Sequence, residues 1–317
     1  MPSSEEFTRQ VKDVATRAGA ALVGVANVER FDQMPPLADA APRGHDPRDF
    51  LQGARSVISI AMPILDGVLD ATARLQERPT EMIPEHVASA YADAVYSRVG
   101  HHLHDCMLEF VAQAVGQFLM ARGHQVMIFP TTGINPRMDG WTQADMWEGA
   151  RGKPASPFRY HYGPFSHRHA ATRAGLGEFG YNNVVLTPQF GPRQRFNSIV
   201  TDADLTADPL LAEPLCLRDK CRLCLKACFQ RAVTLRDDAE VTDYRSVDKV
   251  DPTAIFIDTP SKSDPVLCMS RTAGRDTWPT RGDCIRICPI PLGRKRHLTE
   301  RCKAIMRGQE RPAERRP

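Results

Sequence analysis

Eight of the nine cysteines in this 317-residue sequence lie between Cys216 and Cys302, and seven of these eight form two groups with defined spacing. The first group is Cys216-x4-Cys221-x2-Cys224-x3-Cys228. The second is Cys284-x3-Cys288-Pro289, with Cys268 sixteen residues upstream of Cys284. Thiolates that converge from a tight loop are the ligands of iron–sulfur clusters, and C-x3-C-P is the ending of the bacterial two-cluster pattern. The spacing therefore predicts two iron–sulfur clusters, of the [4Fe–4S] type, in the last third of the chain.

The two groups are expected to share their ligands. In the bacterial pattern the last cysteine of a group ligates the other cluster. Cluster A would then take Cys216, Cys221, Cys224 and Cys288, and cluster B would take Cys228, Cys268 and Cys284. Cluster B lacks a fourth cysteine, because Arg281 stands where one is expected. Cys302, Asp283 or His297 could supply the fourth ligand. Alternatively, cluster B could be a three-iron cluster.

Two other metal sites share parts of this pattern. C-x4-C-x2-C also opens the plant-type [2Fe–2S] site, but that site leaves Cys228 and the second group unexplained. Structural zinc binds four thiolates, typically from paired C-x2-C knuckles, and only Cys221 and Cys224 form such a pair. Iron–sulfur clusters are the interpretation that accounts for both groups.

A glycine-rich turn, AGLGEFGYNN, occupies residues 174–183. Gly175, Gly177 and Gly180 permit a positive φ or a close approach of the backbone to another group. The turn then either brings the backbone close to another group or connects a helix tightly to a strand. No G-x-G-x-x-G opens a helix, so dinucleotide binding is not indicated.

The elements that must position these residues can be read from hydrophobic periodicity. Ser3 or Ser4 can cap a helix that ends at Gly19. Apolar runs predict strands at 21–26, 56–62, 125–129, 183–187 and 195–201. A long helix is predicted from about residue 85 to 122 and a short one over 165–174. Residues 130–165, rich in aromatics and without a period, are expected to form an ordered functional loop.

The long helix carries an apolar stripe on its helical period. The stripe consists of Leu103, Met107, Phe110, Ala114 and Phe118, and it is the expected core face. Cys106 lies in the same run and is expected to be a small buried side chain. Alternating helices and strands up to residue 201 predict an α/β or α+β sandwich, which the cysteine segment follows as a second unit.

Composition and charge exclude several classes of protein. No apolar run is long enough to cross a bilayer, and the acidic, amphipathic start lacks the features of an export signal. We therefore expect a cytoplasmic protein whose thiols are reduced rather than paired in disulfides. The formal net charge is +3. Lys and Arg are concentrated in residues 294–317, which are expected to be a solvated basic tail.

Several phrases, in this order along the chain, resemble the superfamily of cobamide-dependent reductases that contains the reductive dehalogenases and epoxyqueuosine reductase. They are AGAALVGVA, GARSVISIAMPI, RAGLGEFGYNNVVLTPQFGPRQRFNSIVTDADL and the two cysteine groups. The combination of AGLGE with LTP-x-FGP-x-x-R is most similar to the reductive dehalogenases. The resemblance covers most of the chain.

The resemblance implies an α+β fold with a nitroreductase-like core over 1–205 and a ferredoxin-like segment over 206–293, before the tail at 294–317. The core would hold a cobalamin in the base-off form, and no histidine stands in an Asp-x-His-x-x-Gly lower-ligand motif. The residues implied to contact this cofactor are Gly175, Gly177, Gly180, Asn182, Thr187 and Gly191.

The family also implies a proton donor in the loop before AGLG. Epoxyqueuosine reductase has an Asp three residues before the Pro that corresponds to Pro164, where this chain has His161. Reductive dehalogenases use a Tyr supported by a cation. The candidates are therefore Tyr160, His161 and Tyr162, with Arg159 or Arg168 as the cation, and Tyr96 on the long helix.

Together these features predict an iron–sulfur oxidoreductase that cleaves a small organic substrate reductively, with a ferredoxin- or flavodoxin-type electron donor. Epoxyqueuosine reduction on tRNA is the second interpretation. It is disfavoured because 29 residues follow Cys288, too few for the helical repeat that holds RNA, so nucleic acid is not expected as a partner. The third interpretation is an electron carrier or activator that reduces another corrinoid protein.

Overall fold

The first helix of this computed structural model has the boundaries that its sequence predicts. Ser3 caps the helix by accepting a hydrogen bond from the amide of Glu6 over 3.2 Å. Gly19 follows its last turn with a φ of 117°. The structure describes residues 3–32, 46–77, 94–96, 98–131, 165–228, 232–235, 254–258, 260–263, 282–294, 298 and 300–309.

The helices of the described residues are α1 (Ser4–Arg17), α2 (Pro47–Phe50), α3 (Asp66–Glu77), α4 (His104–Met120), α5 (His167–Arg173), α6 (Leu223–Ala227), α7 (Asp283–Arg286) and α8 (Glu300–Met306). A π-helical segment, Arg98–Leu103, leads into α4, and short 3-10 helices occupy Val28–Phe31 and Arg218–Lys220. The strands are β1 (Leu22–Asn27), β2 (Ser56–Pro63), β3 (Val126–Ile128), β4 (Glu178–Phe179), β5 (Val185–Leu186), β6 (Gln194–Thr201), β7 (Val233–Leu235) and β8 (Ser261–Ser263).

Four antiparallel strands form the main sheet in the order β1-β2-β6-β3. Strand β2 is buried along its whole length except at Pro63, because it lies in the interior of the sheet with helices on both faces. The register pairs Ile58 with Ile199 and Val57 with Val200. Since side chains alternate between faces, these two pairs belong to opposite sides of the sheet.

Helices α1 and α4 cover one face of the sheet. Val11 of α1 and Leu108 and Val111 of α4 are fully buried against Ile58 and Ile199. This cluster is the largest apolar core of the described residues, and its burial is the main source of stability for the sheet.

The predicted core face of the long helix is wrong. Leu103 is 49% exposed and Phe110 is 75% exposed, and Met107 and Cys106 are exposed as well. The buried face of α4 is offset from this stripe and consists of Leu108, Val111, Ala112, Val115 and Leu119. Apolar residues occupy two faces of this helix, and only its position on the sheet decides which face is buried.

Helix α5 covers the opposite face of the sheet. Ala170 packs with Val57 and Val200 in a second buried cluster. The rings of Phe129 and Phe165 stack in the same cluster with centroids 4.6 Å apart. Directly after α5 the predicted glycine-rich turn contains a two-residue strand, β4, which pairs with β5. The sequence did not predict β4, since two residues are too few to show a period.

The cysteine segment packs against this core through short elements. Helices α6 and α8 share an apolar cluster in which Ala227, Ile287, Cys302 and Ile305 are buried. The chain after residue 294, expected to be a solvated tail, therefore contains a packed helix. Mixed helices and antiparallel sheet confirm the α+β class. None of the described helices meets the length and hydropathy needed to cross a membrane.

Candidate metal centre

Four cysteines from the two sequence groups line one cavity. They are the four residues predicted for cluster A, namely Cys216, Cys221, Cys224 and Cys288. Cys288 thus lies beside the first group although more than sixty residues separate it from Cys224. Other residues that line the same cavity include Gly180, Tyr181 and Asn182 from the glycine-rich turn and Ile290.

The first cysteine group follows a tight course around this cavity. Cys216 precedes the 3-10 turn Arg218–Lys220, Cys221 ends that turn, and Cys224 lies in α6. Arg218 and Arg222 have positive φ values of 51° and 45°, and each stands at the start of a short helical turn between Cys216 and Cys224. A loop of this kind brings successive thiols to one side, as a cluster requires.

The cavity disfavours free thiolates. Burial raises the pKa of Cys216, and burial together with the neighbouring thiols of Cys284 and Cys216 raises the pKa of Cys224. Burial likewise raises the pKa of Cys288 to about 11, although Arg193 opposes the shift. Four deprotonated cysteines would therefore need a cationic partner, and iron in a cluster supplies that charge.

The four cysteines of the cavity match the four-cysteine donor set of a [4Fe–4S] cluster. Among the described residues, no three His, Cys, Asp or Glu side chains converge closely enough to hold one metal ion. A cubane cluster is itself several ångströms across, so its ligands surround a cavity instead of meeting at a point. The donor set around the cavity fits such a cluster.

Glu178 holds the start of the first cysteine group. Its carboxylate is fully buried, and Oε1 accepts hydrogen bonds from the amides of Leu215 at 2.5 Å and Cys216 at 2.6 Å. Oε2 accepts a third from the amide of Phe256 at 3.1 Å and lies 3.6 Å from Arg218. Glu178 is the last letter of the AGLGE phrase, and the sequence offered no role for it.

Arg193 holds the end of the second group. Its guanidinium is 3% exposed and donates to the carbonyls of Ile290 and Arg286, each at 3.1 Å, and of Cys288 at 3.4 Å. Arg193 occupies the first x position of the FGP-x-x-R phrase, whose own arginine is Arg195. The sequence therefore offered no signal for the role of Arg193.

The described residues predicted for cluster B lie near this cavity but do not complete a site. Cys284 is close enough to raise the pKa of Cys224. The sulfur of Cys228 accepts a hydrogen bond from the amide of Ala232 at 3.2 Å. Cys268 and His297 lie outside the described residues, so the ligand set of cluster B stays a prediction.

Two candidates for the fourth ligand of cluster B have other surroundings. Asp283 is buried and forms an ion pair with Arg286. Cys302 is fully buried in the apolar cluster of α6 and α8. The carboxylate of Asp283 therefore already has a cation beside it, and the surroundings of Cys302 are those of a small core residue.

The glycines of the turn allow close approaches within the chain itself. A Cβ on Gly177 would lie 2.0 Å from the carbonyl oxygen of Leu186, and one on Gly175 would lie 2.0 Å from that of Pro209. Gly191 faces the carbonyl of Ile290 in the same way. The tight-turn interpretation thus accounts for these glycines, and their contact with a corrinoid stays a prediction.

The other residues predicted for corrinoid binding are dispersed. Gly180 and Asn182 line the cysteine cavity, and the Asn182 amide donates to the carbonyl of Cys284 at 3.3 Å. Thr187 is fully buried and pairs with Gly191. In the described part of the chain these residues do not meet in one place, so their contact with a corrinoid stays a prediction.

Of the predicted proton donors only Tyr96 belongs to the described residues. It is buried with Ile64, Val68 and Leu69, and its ring meets that of His101 edge-on at 5.2 Å. Arg168 donates to the carbonyl of Asn183 at 2.6 Å. Tyr160, His161, Tyr162 and Arg159 lie outside the described residues, and a proton-donor role for any of these residues stays a prediction.

The fold is that of a group of reductases with known structures. Epoxyqueuosine reductase, solved with an epoxyqueuosine-modified tRNA-Tyr stem loop, matches 93% of this chain and 68% of its own, with a TM-score of 0.51 and 15% identity. A catabolic reductive dehalogenase in complex with 3-bromo-4-hydroxybenzoic acid matches 95% of this chain and 35% of its own, with a TM-score of 0.52 and 14% identity. A third structure, described as suggesting a mechanism for B12-dependent dehalogenation, has a TM-score of 0.51 and 15% identity over 96% of this chain and 34% of its own.

Sequence comparison finds the same group over a short stretch. Tetrachloroethene reductive dehalogenases of Desulfitobacterium hafniense and Dehalobacter restrictus are 39% identical to this chain over 74 residues. That stretch is 22% of this chain and 13% of the relative. No model of a protein family matches the chain. The predicted resemblance to reductive dehalogenases and epoxyqueuosine reductases is confirmed.

Proposed function

We propose that this chain is an iron–sulfur oxidoreductase that cleaves a small organic substrate reductively, in the manner of a reductive dehalogenase. The observation that carries the proposal is the cavity where Cys288 of the second group joins Cys216, Cys221 and Cys224 of the first. Interleaved ligation is the property of two-cluster ferredoxin segments. Such a segment, following an α+β core of this fold, supports a redox function.

In this proposal Cys216, Cys221, Cys224 and Cys288 hold cluster A, which supplies one-electron transfer when bound. The chain contributes the surroundings of the cluster. The turn residues Gly180 and Asn182 line one side of the cavity, Cys288 is buried, and Cys216, Cys221 and Cys224 are half-buried. Partial exclusion of water strengthens the charge interactions near the cluster and thereby affects the reduction potential.

A cobamide is the second cofactor that the resemblance implies, and reductive cleavage is proposed with it. The overall reaction would be R–X + 2e⁻ + H⁺ → R–H + X⁻. The bond from carbon to the leaving group breaks, the proton enters the new C–H bond, and the leaving group departs as an anion. Tyr160, His161, Tyr162 and Tyr96 remain the proposed sources of that proton. A cytoplasmic location and a ferredoxin- or flavodoxin-type donor are proposed on the same grounds.

The test is turnover by protein reconstituted without oxygen. Iron, sulfide and cobalamin would be added, titanium(III) citrate would supply electrons, and two substrates would be compared, 3-bromo-4-hydroxybenzoic acid and an epoxyqueuosine-modified tRNA stem loop. We expect bromide release, with one bromide for two electrons consumed. The control is the Cys221→Ala variant, which should lose turnover because cluster A loses a ligand.

Two results would replace this proposal with one of its alternatives. Reduction of the tRNA stem loop without bromide release would favour an epoxyqueuosine reductase. Retention of both clusters without any bound cobalt or turnover would favour an electron carrier for another corrinoid protein.

A further inference from the structure

Two buried side chains of opposite charge reach from the core to the first and last cysteines of the cavity. Glu178 is 0% exposed and Arg193 is 3% exposed. Glu178 lies in β4 and Arg193 just before β6, so both come from the α+β core and not from the cysteine segment. A buried charge is costly unless it is hydrogen-bonded and paired, which makes their partners informative.

The partners of Glu178 are mostly backbone donors. It accepts from the amides of Leu215, Cys216 and Phe256, and Arg218 is the cation that faces it at 3.6 Å. A carboxylate that accepts two amides of consecutive residues fixes the direction of the chain at that point. Glu178 thus orients the backbone from which the Cys216 sulfur projects into the cavity.

Arg193 orients the backbone around Cys288, and its partners are carbonyl acceptors, whereas those of Glu178 are amide donors. Its guanidinium binds the carbonyls of Arg286, Cys288 and Ile290. Asp66 is the carboxylate that faces it, at 3.9 Å from Nε. Arg286 and Ile290 lie two residues before and two residues after Cys288, and the third carbonyl is that of Cys288 itself. Arg193 therefore fixes the backbone of the loop that carries the Cys288 sulfur.

We infer that Glu178 and Arg193 are positioning residues of cluster A that also set its reduction potential in opposite directions. The inference rests on the proposed function, since it requires a cluster at these cysteines. A buried negative charge disfavours the added electron and lowers the potential, whereas a buried positive charge raises it. The fold therefore holds the first ligand through a negative side chain and the last through a positive one.

Conservative variants separate tuning of the cluster from simple structural support. Glu178→Gln keeps a carbonyl oxygen for the amides of Leu215 and Cys216 but removes the charge and leaves Arg218 without its carboxylate. Arg193→Met removes the cation, and Arg193→Lys retains it. The midpoint potential of cluster A would be measured by EPR-monitored redox titration of the anaerobic, iron-replete full-length protein, with iron and sulfide per chain as the measure of occupancy.

We expect the potential to rise in Glu178→Gln and to fall in Arg193→Met. Each shift should correspond to about a tenfold change in the one-electron equilibrium, which is about 59 mV. Arg193→Lys should restore most of the wild-type potential. The matched control is Glu213→Gln, because Glu213 is an exposed carboxylate three residues before Cys216 and solvent screens its charge. Should Glu178→Gln lose cluster A, the comparison of Arg193→Met with Arg193→Lys decides the question.

The results that would contradict this inference differ from those that would contradict the proposed function. Unchanged potentials, or shifts of the same sign, in variants that keep wild-type iron would overturn this inference and leave the proposed function intact. Wild-type protein without iron and sulfide would overturn the proposed function, and the inference with it.

Discussion

His167 has two hydrogen-bond partners that suit a neutral imidazole. Its Nε2 lies 3.0 Å from the carbonyl oxygen of Pro130, and its Nδ1 lies 3.0 Å from the hydroxyl of Ser198. Burial lowers the pKa of His167 to about 4, and the hydrogen bond to Pro130 opposes this shift only in part. The folded protein therefore favours the uncharged ring over most of the acidic range.

Protonation of His167 is expected to cost stability below neutral pH. The unfolded chain takes up this proton near pH 6.5 and the folded chain near pH 4. The contribution to the free energy of unfolding is therefore fully present above about pH 6.5 and is lost as the pH falls toward 4, reaching a loss of about 1 kcal/mol at about pH 5.5. Urea unfolding of wild type and His167→Gln at about pH 7.5 and about pH 5.5 measures it. An identical pH dependence in the two proteins would contradict the expectation.

The exposed thiol of Cys106 gives a second prediction at the residue scale. Cys106 is exposed on α4, whereas Cys302 is fully buried. A thiol reagent should therefore modify Cys106 in the folded protein and reach Cys302 only after unfolding. Peptide mass mapping of the labelled protein, with Cys106→Ser as the control, reads out both positions. Labelling of Cys302 under native conditions would show that α8 is not packed as described.

At the scale of elements, the pair β4 and β5 depends on the absence of a side chain at Gly177. Gly177→Ala would place a Cβ 2.0 Å from the carbonyl oxygen of Leu186. We expect the free energy of unfolding to fall by about 1–3 kcal/mol, the usual cost of overpacking. The matched control is Gly67→Ala in α3, where a Cβ meets nothing within 4 Å. Equal unfolding free energies for the two variants would contradict the described pairing.

A buried ion-pair network joins α3 to α7. Arg286 pairs with Asp283, lies 3.8 Å from Asp70 and donates to the carbonyl of Leu69 at 2.6 Å. Arg286→Met would leave Asp283 buried without its cation, and breaking a buried pair costs about 3–5 kcal/mol. Lys303→Ala, which removes an exposed pair with Glu300, should cost less than about 1 kcal/mol. Denaturant unfolding of the apoprotein compares the two, and a similar loss in both would contradict the role of the network.

Much of this fold could be predicted from the sequence because the residues that begin, end or bury an element lie within that element or next to it. The Ser3 cap, the stop at Gly19 and the apolar runs of β2 and β6 all lie within a few residues of the boundaries that they define. The buried face of α4 could not be predicted in this way, because Phe110 and Leu108 are equally apolar and only the sheet distinguishes them.

The cysteines of the candidate site could be predicted from their spacing in the sequence. The residues that orient those cysteines could not, because they lie far away along the chain. The x3 spacing before Cys288 predicted that it joins the first group, and it lines the same cavity. Glu178 lies 38 residues from Cys216, and Arg193 lies 95 residues from Cys288. No local pattern indicates such pairs, so the residues that orient the ligands became apparent only in the folded chain.

At the scale of the whole molecule, the core and the cysteine segment form the cavity together. The core contributes Tyr181 and Asn182 to its lining, and the segment contributes the thiols. A further contact joins the two parts where Arg173 of α5 pairs with Asp258 at 2.9 Å. The cysteine segment is thus held against the core by contacts that both parts contribute.

Metal analysis of anaerobically purified protein, combined with EPR of Cys288→Ala, tests the central claim most directly. We predict about seven to eight iron atoms per chain with matching acid-labile sulfide in wild type. Cys288→Ala should lose the cluster A signal although Cys288 belongs to the second group, Cys228→Ala should alter the other cluster, and Cys106→Ala should change neither. Stoichiometric zinc with negligible iron and sulfide would contradict the account, as would a Cys288→Ala protein in which cluster A is intact and only cluster B is altered.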